Sequence, residues 1–363
     1  MQRTGSANLP LHPGHAPRWL FGRMVKLAKA ITTVMVEDKG TTFFLQRISD
    51  PFWFQALSCV LGFDWHSSGT TTVTGGALKE ALKDMSLGLA VAGGKGKASL
   101  ATPKEIVSGA DKLGLHSNKV DFLVYSSRLS AKVDNAAVQD GYSLYHHLFL
   151  FDEHGNWVVV QQGLNSQNNY ARRYHWASEG LDSFVETPHK AILSVNRSDN
   201  VLNLTSSKNK DVRSASVDLV KDSIDSLQRS IRVSPVYQKS LADWVGLDKP
   251  VLTLPRHINW DALRKAYEIQ PQNYEELLGV KGVGPATVRA LAYISALLYG
   301  TELDWKDPVK YSFAVGGKDG VPYPVNRKAM DQATELIIQG IESAKVGDKA
   351  KLDAIKRLKA LVP

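Results

Sequence analysis

With 363 residues and a hydrophobic fraction of 43%, the chain can fill the cores of two domains, and it contains no apolar run of membrane-spanning length. Its net charge of +8 suits a polyanionic partner. The single cysteine, Cys59, excludes an internal disulfide and sits in an apolar run as a core residue, which points to a reducing, cytoplasmic setting. No apolar core precedes Trp19, so no signal peptide is expected.

Residues 3–17, rich in Gly, Pro and His, read as an extended arm. Helices are predicted over 18–37 and 51–61, then a polar loop containing Phe63-Asp64-Trp65-His66-Ser67-Ser68-Gly69 and running to Thr72. A helix over 75–85, a short buried strand over 87–92 and a basic glycine loop, Gly93-Gly94-Lys95-Gly96-Lys97, come next. Thr102-Pro103 caps a further helix. A long helix over 120–139 is expected to stop near Asp140-Gly141. Residues 144–151 and 157–162 form the clearest hairpin, joined by Asp152-Glu153-His154-Gly155-Asn156. Its apolar residues fall on consecutive positions, so both sheet faces should be covered. The stretch 201–216 is polar, 215–227 is read as a helix and 230–255 as a proline-punctuated connection. Helices then follow over 260–267, 274–278, 286–299 and 327–361.

The most informative stretch is Leu277-Leu-Gly-Val-Lys-Gly-Val-Gly-Pro-Ala-Thr-Val-Arg-Ala-Leu291. An apolar helix end leads into a glycine turn, and Pro285 occupies the first position of a second helix, where its fixed φ is already suitable. This segment resembles the helix-hairpin-helix of DNA repair and replication proteins. Gly282 and Gly284 would let the backbone approach a phosphate, beside the first amides of the second helix at Thr287. Lys281 and Arg289 add positive charge, and DNA is the expected partner.

At one end of the hairpin, His146 and His147 should lie beside Gln161 and Gln162, with only one His and one Gln on each face. Asp134 and Asp140 would arrive from the preceding helix, and Arg172, Arg173 and His175 from the following segment. Asp64, His66 and Ser67 would supply another side. Asp134, Asp140 and His147 are therefore the candidate ligands for Mg²⁺ or Mn²⁺ in phosphodiester hydrolysis. Gln162 would share the pocket, and Lys132 would neutralise the phosphate. The second hairpin strand lacks the acid-x-lysine pattern of restriction-type nucleases, and no zinc spacing occurs. Lys95 and Lys97, in the glycine loop, are read as nucleic-acid contacts together with Arg172 and Arg173. The loop lacks the Lys-Ser/Thr of a nucleotide-binding loop, so no nucleotide cofactor is expected.

Many separate words occur in order along the chain. They include Leu9-Pro-Leu-His12, Pro17-Arg-Trp-Leu20, Asp50-Pro-Phe-Trp53, Tyr145-His-His147, Val160-Gln-Gln-Gly163 and Ala171-Arg-Arg-Tyr-His-Trp176. Together they resemble the family called domain of unknown function 763, found widely in archaea and in some thermophilic bacteria. The resemblance covers most of the chain and implies a DNA-associated protein of archaeal type.

The expected fold is α+β. A mixed α/β N-terminal domain with a central β-hairpin spans 1–200, and a polar linker with a connecting helix spans 201–255. An all-α helix-hairpin-helix domain spans 256–363. The expected function is DNA binding and processing, in repair, by a metal-dependent nuclease. One alternative is a helix-hairpin-helix glycosylase using Asp304 or Asp307. The other is a non-catalytic scaffold presenting DNA to other repair or replication proteins.

Overall fold

Apolar side chains at successive positions of Leu148–Phe151 and Val158–Val160 require cover on both faces of the strands that carry them, and that requirement organises the molecule. The computed structural model describes residues 5–6, 18–61, 69–84, 86–167, 170–194, 198, 200–222, 227, 255, 257–310, 314–315, 337–340 and 342. Strands β1 (Leu89–Lys95), β2 (Ser143–Asp152), β3 (Trp157–Asn165), β4 (Tyr170–Ala177) and β5 (Ala191–Leu193) form one sheet in chain order, every neighbouring pair antiparallel.

One face carries Leu148, Leu150, Val158 and Val160 against α1 (Arg18–Ser49), α2 (Pro51–Val60) and α3 (Gly69–Ala81). The other carries Phe149, Phe151, Trp157, Val159 and Trp176. These pack with residues of α5 (Thr102–Lys112), which follows the one-turn α4 (Lys97–Leu100), and of α6 (Ser117–Lys132) and α7 (Lys210–Lys221). Each fully buried large side chain contributes about 2–3 kcal/mol before the entropy of ordering it. The same apolar cluster continues without a break into α8 (Trp260–Ile269), α9 (Tyr274–Gly279) and α10 (Pro285–Tyr299) through Leu263, Leu277, Val283 and Leu291. Residues 201–206 are buried, and Leu202–Asn203 pair with Val138–Gln139, so the start of the polar stretch packs into this core.

Several elements differ from the sequence reading. Helix α1 continues to Ser49 across a break at Gly40 (φ 83°, ψ 168°), because Phe44, Leu45 and Ile48 repeat at helical spacing toward the sheet. Helix α3 starts at Gly69, and the threonines read as loop lie within it. Thr70, Thr71 and Thr74 are fully buried, and Thr74 Oγ1 donates to Ser58 Oγ at 2.9 Å. The glycines read as a loop belong partly to β1. Gly93 pairs with Leu148 at φ +91°, and a Cβ there would stand 2.1 Å from the His147 carbonyl oxygen, so only glycine fits. Strand β4 was not anticipated, since Arg172, Arg173 and His175 interrupt its apolar pattern. The arm over 3–17 (apart from residues 5–6), the loop with Asp64, His66 and Ser67, most of 223–254 and nearly all of 327–361 lie outside the described residues.

Candidate functional site

Register delivers the expected split of the hairpin end. His147 pairs with Gln161 and His146 with Gln162, so each His–Gln pair lies on its own face. Strand β4 extends both rows: Gln161 faces Tyr174, and Gln162 faces Arg173.

On the α6 face, helix α6 ends in one π-turn, Val133–Ala137, which directs Asp134 into the core. The indole Nε1 of Trp176 donates to Asp134 Oδ2 at 2.9 Å, and Gln161 Nε2 donates to the same oxygen at 2.6 Å. His189 Nε2 meets Oδ1. With its amide nitrogen turned to Asp134, Gln161 offers Oε1 to His147 Nδ1 at 2.8 Å. That ring nitrogen therefore carries the proton, and Nε2 accepts from Ser127 Oγ at 2.8 Å. Ser127–His147–Gln161–Asp134 has the order of a general-base relay, but a neutral amide stands between imidazole and carboxylate, where it cannot neutralise an imidazolium. Burial also pushes His147 down to about 4, so the ring is neutral near pH 7. Burial pushes the Asp134 carboxyl up, against the pull of His189 and Trp176. The arrangement is a satisfied polar layer that fixes the hairpin.

Asp140 does not join this network. Its Oδ2 accepts from Arg172 Nη1 at 2.9 Å and from Tyr174 Oη at 2.6 Å, and its Oδ1 accepts from the Tyr142 amide at 3.0 Å. Arg172 also forks onto Asp307, with Nη2 to Oδ2 at 2.8 Å and Nη1 to Oδ1 at 3.1 Å. Burial opposes the charge of Arg172, but Asp140 and Asp307 outweigh it and raise its pKa. Asp307 additionally accepts from the amides of Ser198 and Val309. The Asp307 carboxylate is thus engaged at both oxygens by groups of the chain itself. Asp304 is half-buried, with its Oδ1 accepting from the Lys306 amide at 3.1 Å.

The three metal-ligand candidates therefore do not converge. Asp134 and His147 are bridged by Gln161, and Asp140 belongs to the Arg172 ion pair. Among the described residues no group of three His, Cys, Asp or Glu side chains could hold a metal ion. Gln162 lies on the opposite face, where its Nε2 meets Tyr145 Oη. Lys132 points away from the sheet and donates to the Val283 carbonyl at 2.7 Å. His189 and Ser127 had no local sequence signal, since their partners lie 55 and 20 residues away.

The glycine turn between α9 and α10 is docked onto this region. Lys132 holds the Val283 carbonyl, Gln139 Nε2 donates to the Pro285 carbonyl at 2.9 Å, and Arg289 Nε donates to Gln139 Oε1. Tyr125 of α6 donates to Glu275 of α9 at 2.9 Å. Gly282 adopts φ +96°, and a Cβ there would lie 3.0 Å from that of Ala262. Lys281, Gly282 and Pro285 are exposed. Helix α10 has no side-chain cap, and the amides of Gly284, Ala286 and Thr287 donate to no group among the described residues. Thr287 itself is buried, with Oγ1 accepting from the Asn259 amide at 3.3 Å, so its hydroxyl serves the fold. Lys95 and Lys97 are exposed at the far edge of the sheet, whereas Arg172 and Arg173 are fully buried.

An antiparallel meander sheathed by helices on both faces, with a glycine-turn helix pair joined to its core, defines the class of this α+β protein. The chain belongs to the family described as protein of unknown function (DUF763), whose match covers residues 5–325. No curated protein matches it. No solved structure matches it either. Among the described residues, no helix is long and apolar enough to cross a membrane.

Proposed function

We propose that this protein binds DNA through the turn at residues 280–284 and the start of α10, a helix-hairpin-helix used in DNA repair or processing. The observation that carries this reading is the uncapped start of α10: three amides without acceptors among the described residues lie beside exposed Lys281 and Gly282. Lys132 and Gln139 hold the Val283 and Pro285 carbonyls from behind. With those carbonyls engaged, the positive end of the helix is left for an anion, and regularly spaced phosphates are the partner for a chain of net charge +8. The geometry favours binding over cleavage, because Asp134, Asp140 and Asp307 already accept hydrogen bonds from the chain at both oxygens.

The test is fluorescence anisotropy with a labelled duplex across a salt series. Lys281→Glu, at an exposed position, should weaken binding by about tenfold and lower the salt slope by about 1 while leaving the fold intact. Unchanged affinity and slope would rule out the hairpin as the DNA contact.

A further inference from the structure

Arg173 is fully buried, and among the described residues it meets an amide, a hydroxyl and a phenyl face, with the Cys59 thiol within electrostatic reach. Its Nη2 donates to Gln55 Oε1 at 2.9 Å, its Nη1 lies 3.5 Å from Thr71 Oγ1, and its guanidinium stands 5.0 Å over the Phe54 ring. Among the described residues no carboxylate pairs with it, and burial pushes its pKa down to about 9. A buried charge without a counter-ion is costly, so its retention needs a reason.

The surroundings supply one. Arg173, Gln162 and His146 form one row across β4, β3 and β2, beneath α3. His146 is 1% exposed, and neither ring nitrogen has a partner among the described residues. Its ring lies 3.4 Å from where a Cβ on Gly75 would stand, one helical turn along α3 from Thr71. Thr70 and Thr71 are buried in the first turn of α3, a 13-residue helix with no acidic residue at its start. Lys95 pairs with His146 in register and is exposed at the sheet edge, and Tyr145, half-buried, meets Gln162. The row thus joins a guanidinium without a carboxylate partner and an imidazole without a hydrogen-bond partner among the described residues, with a cation at its rim.

We propose that this row, with Arg173 and His146 on either side of Gln162, is a receptor site for a phosphate-type oxyanion. A guanidinium fork matches two phosphate oxygens, and a neutral imidazole donates one hydrogen bond. A lining with bases and, among the described residues, no carboxylate selects an anion over a cation. The oxyanion is either a free phosphate or nucleotide, or the 5′-phosphate of a DNA strand. The site stands on the α1–α3 side of the sheet, so it does not depend on the hairpin reading.

The experiment is thermal unfolding of the full chain at constant ionic strength. The probes are chloride, inorganic phosphate, a 5′-deoxynucleoside monophosphate, and a short single strand with a 5′-phosphate or a 5′-hydroxyl. All are repeated in Lys281→Glu, which removes the hairpin cation. At a hundredfold excess over Kd, a phosphate-bearing probe should raise Tm by about 3 °C in both proteins, with no rise from chloride or the 5′-hydroxyl strand. Arg173→Gln should abolish the rise, and Thr71→Val, a milder change, should reduce it. A rise with inorganic phosphate or the mononucleotide supports the site with a small ligand; a rise confined to the 5′-phosphorylated strand supports it with a DNA end. If no phosphate probe shifts Tm in the unmutated protein, or if Arg173→Gln keeps the full shift, the proposal fails. Loss of the shift in Lys281→Glu would also overturn it, assigning the effect to the hairpin.

Discussion

Arg172 and Arg173 are adjacent in sequence and equally buried, but they face opposite sides of one sheet. Arg172 is held by two carboxylates and a tyrosine ring, which answer its charge. Arg173 is held by an amide, a hydroxyl and a phenyl face. The histidines show the same contrast: both ring nitrogens of His147 are bonded, and neither of His146 is. Strand alternation thus gives two chemically identical pairs two different roles. The α6 face holds Asp134, Gln161 and His147 in a bonded polar layer that supports the hairpin, and on the α3 face Arg173 Nε and both His146 ring nitrogens have no hydrogen-bond partner among the described residues.

Among substitutions, the largest effect should come from breaking the compensated side. Asp307→Ala leaves Arg172 buried with a single carboxylate and should cost about 3–5 kcal/mol in urea unfolding. A loss under about 1 kcal/mol would mean that Arg172 finds solvent or another partner.

Acid should act next, on both faces. Burial pushes His147 down to about 4 and His146 to about 3. Both are lower in the folded chain than the unfolded value of 6.5, so the unfolded state binds more protons as pH falls. Their stability contribution is complete above pH 6.5 and is lost as pH drops toward their folded values. Between pH 6.5 and pH 4 unfolding free energy should fall by about 3 kcal/mol per histidine. A stability flat over that window would contradict the burial of neutral rings.

The smallest effect, and the one of opposite sign, should come from Arg173. Replacing it by methionine removes an uncompensated charge, so the ligand-free protein should change by less than about 1 kcal/mol or gain stability. A loss as large as that of Asp307→Ala would erase the difference between the faces.

The hairpin was legible because apolar residues fill consecutive positions on both sides of Asp152–Asn156, and the alternation rule then separated His146 from His147. Strand β4 was hidden by the criterion that found the hairpin. Its arginines look like surface residues until Asp140 and Asp307, 32 and 135 residues away, are brought to Arg172. Asp134 and Asp140 appeared to be one pair of ligands from their closeness in sequence. The π-turn sends Asp134 toward His189, whereas Asp140, beyond the short Val138–Gln139 strand, meets Arg172. The glycine turn of residues 280–284 was readable because local chemistry alone dictates it: Gly282 needs a positive φ and Pro285 begins a helix. The inward turn of Thr287 and Arg289 depends on Asn259 and Gln139, which no local pattern announces.

The most direct test of the DNA-binding account is amide hydrogen exchange with and without a duplex oligonucleotide. The amides of Gly284, Ala286 and Thr287, which have no acceptor among the described residues, should slow by at least about tenfold when DNA is added, with Lys281 and Gly282 following. Saturating DNA that leaves residues 281–289 unprotected would contradict the account and move the DNA contact elsewhere on the molecule.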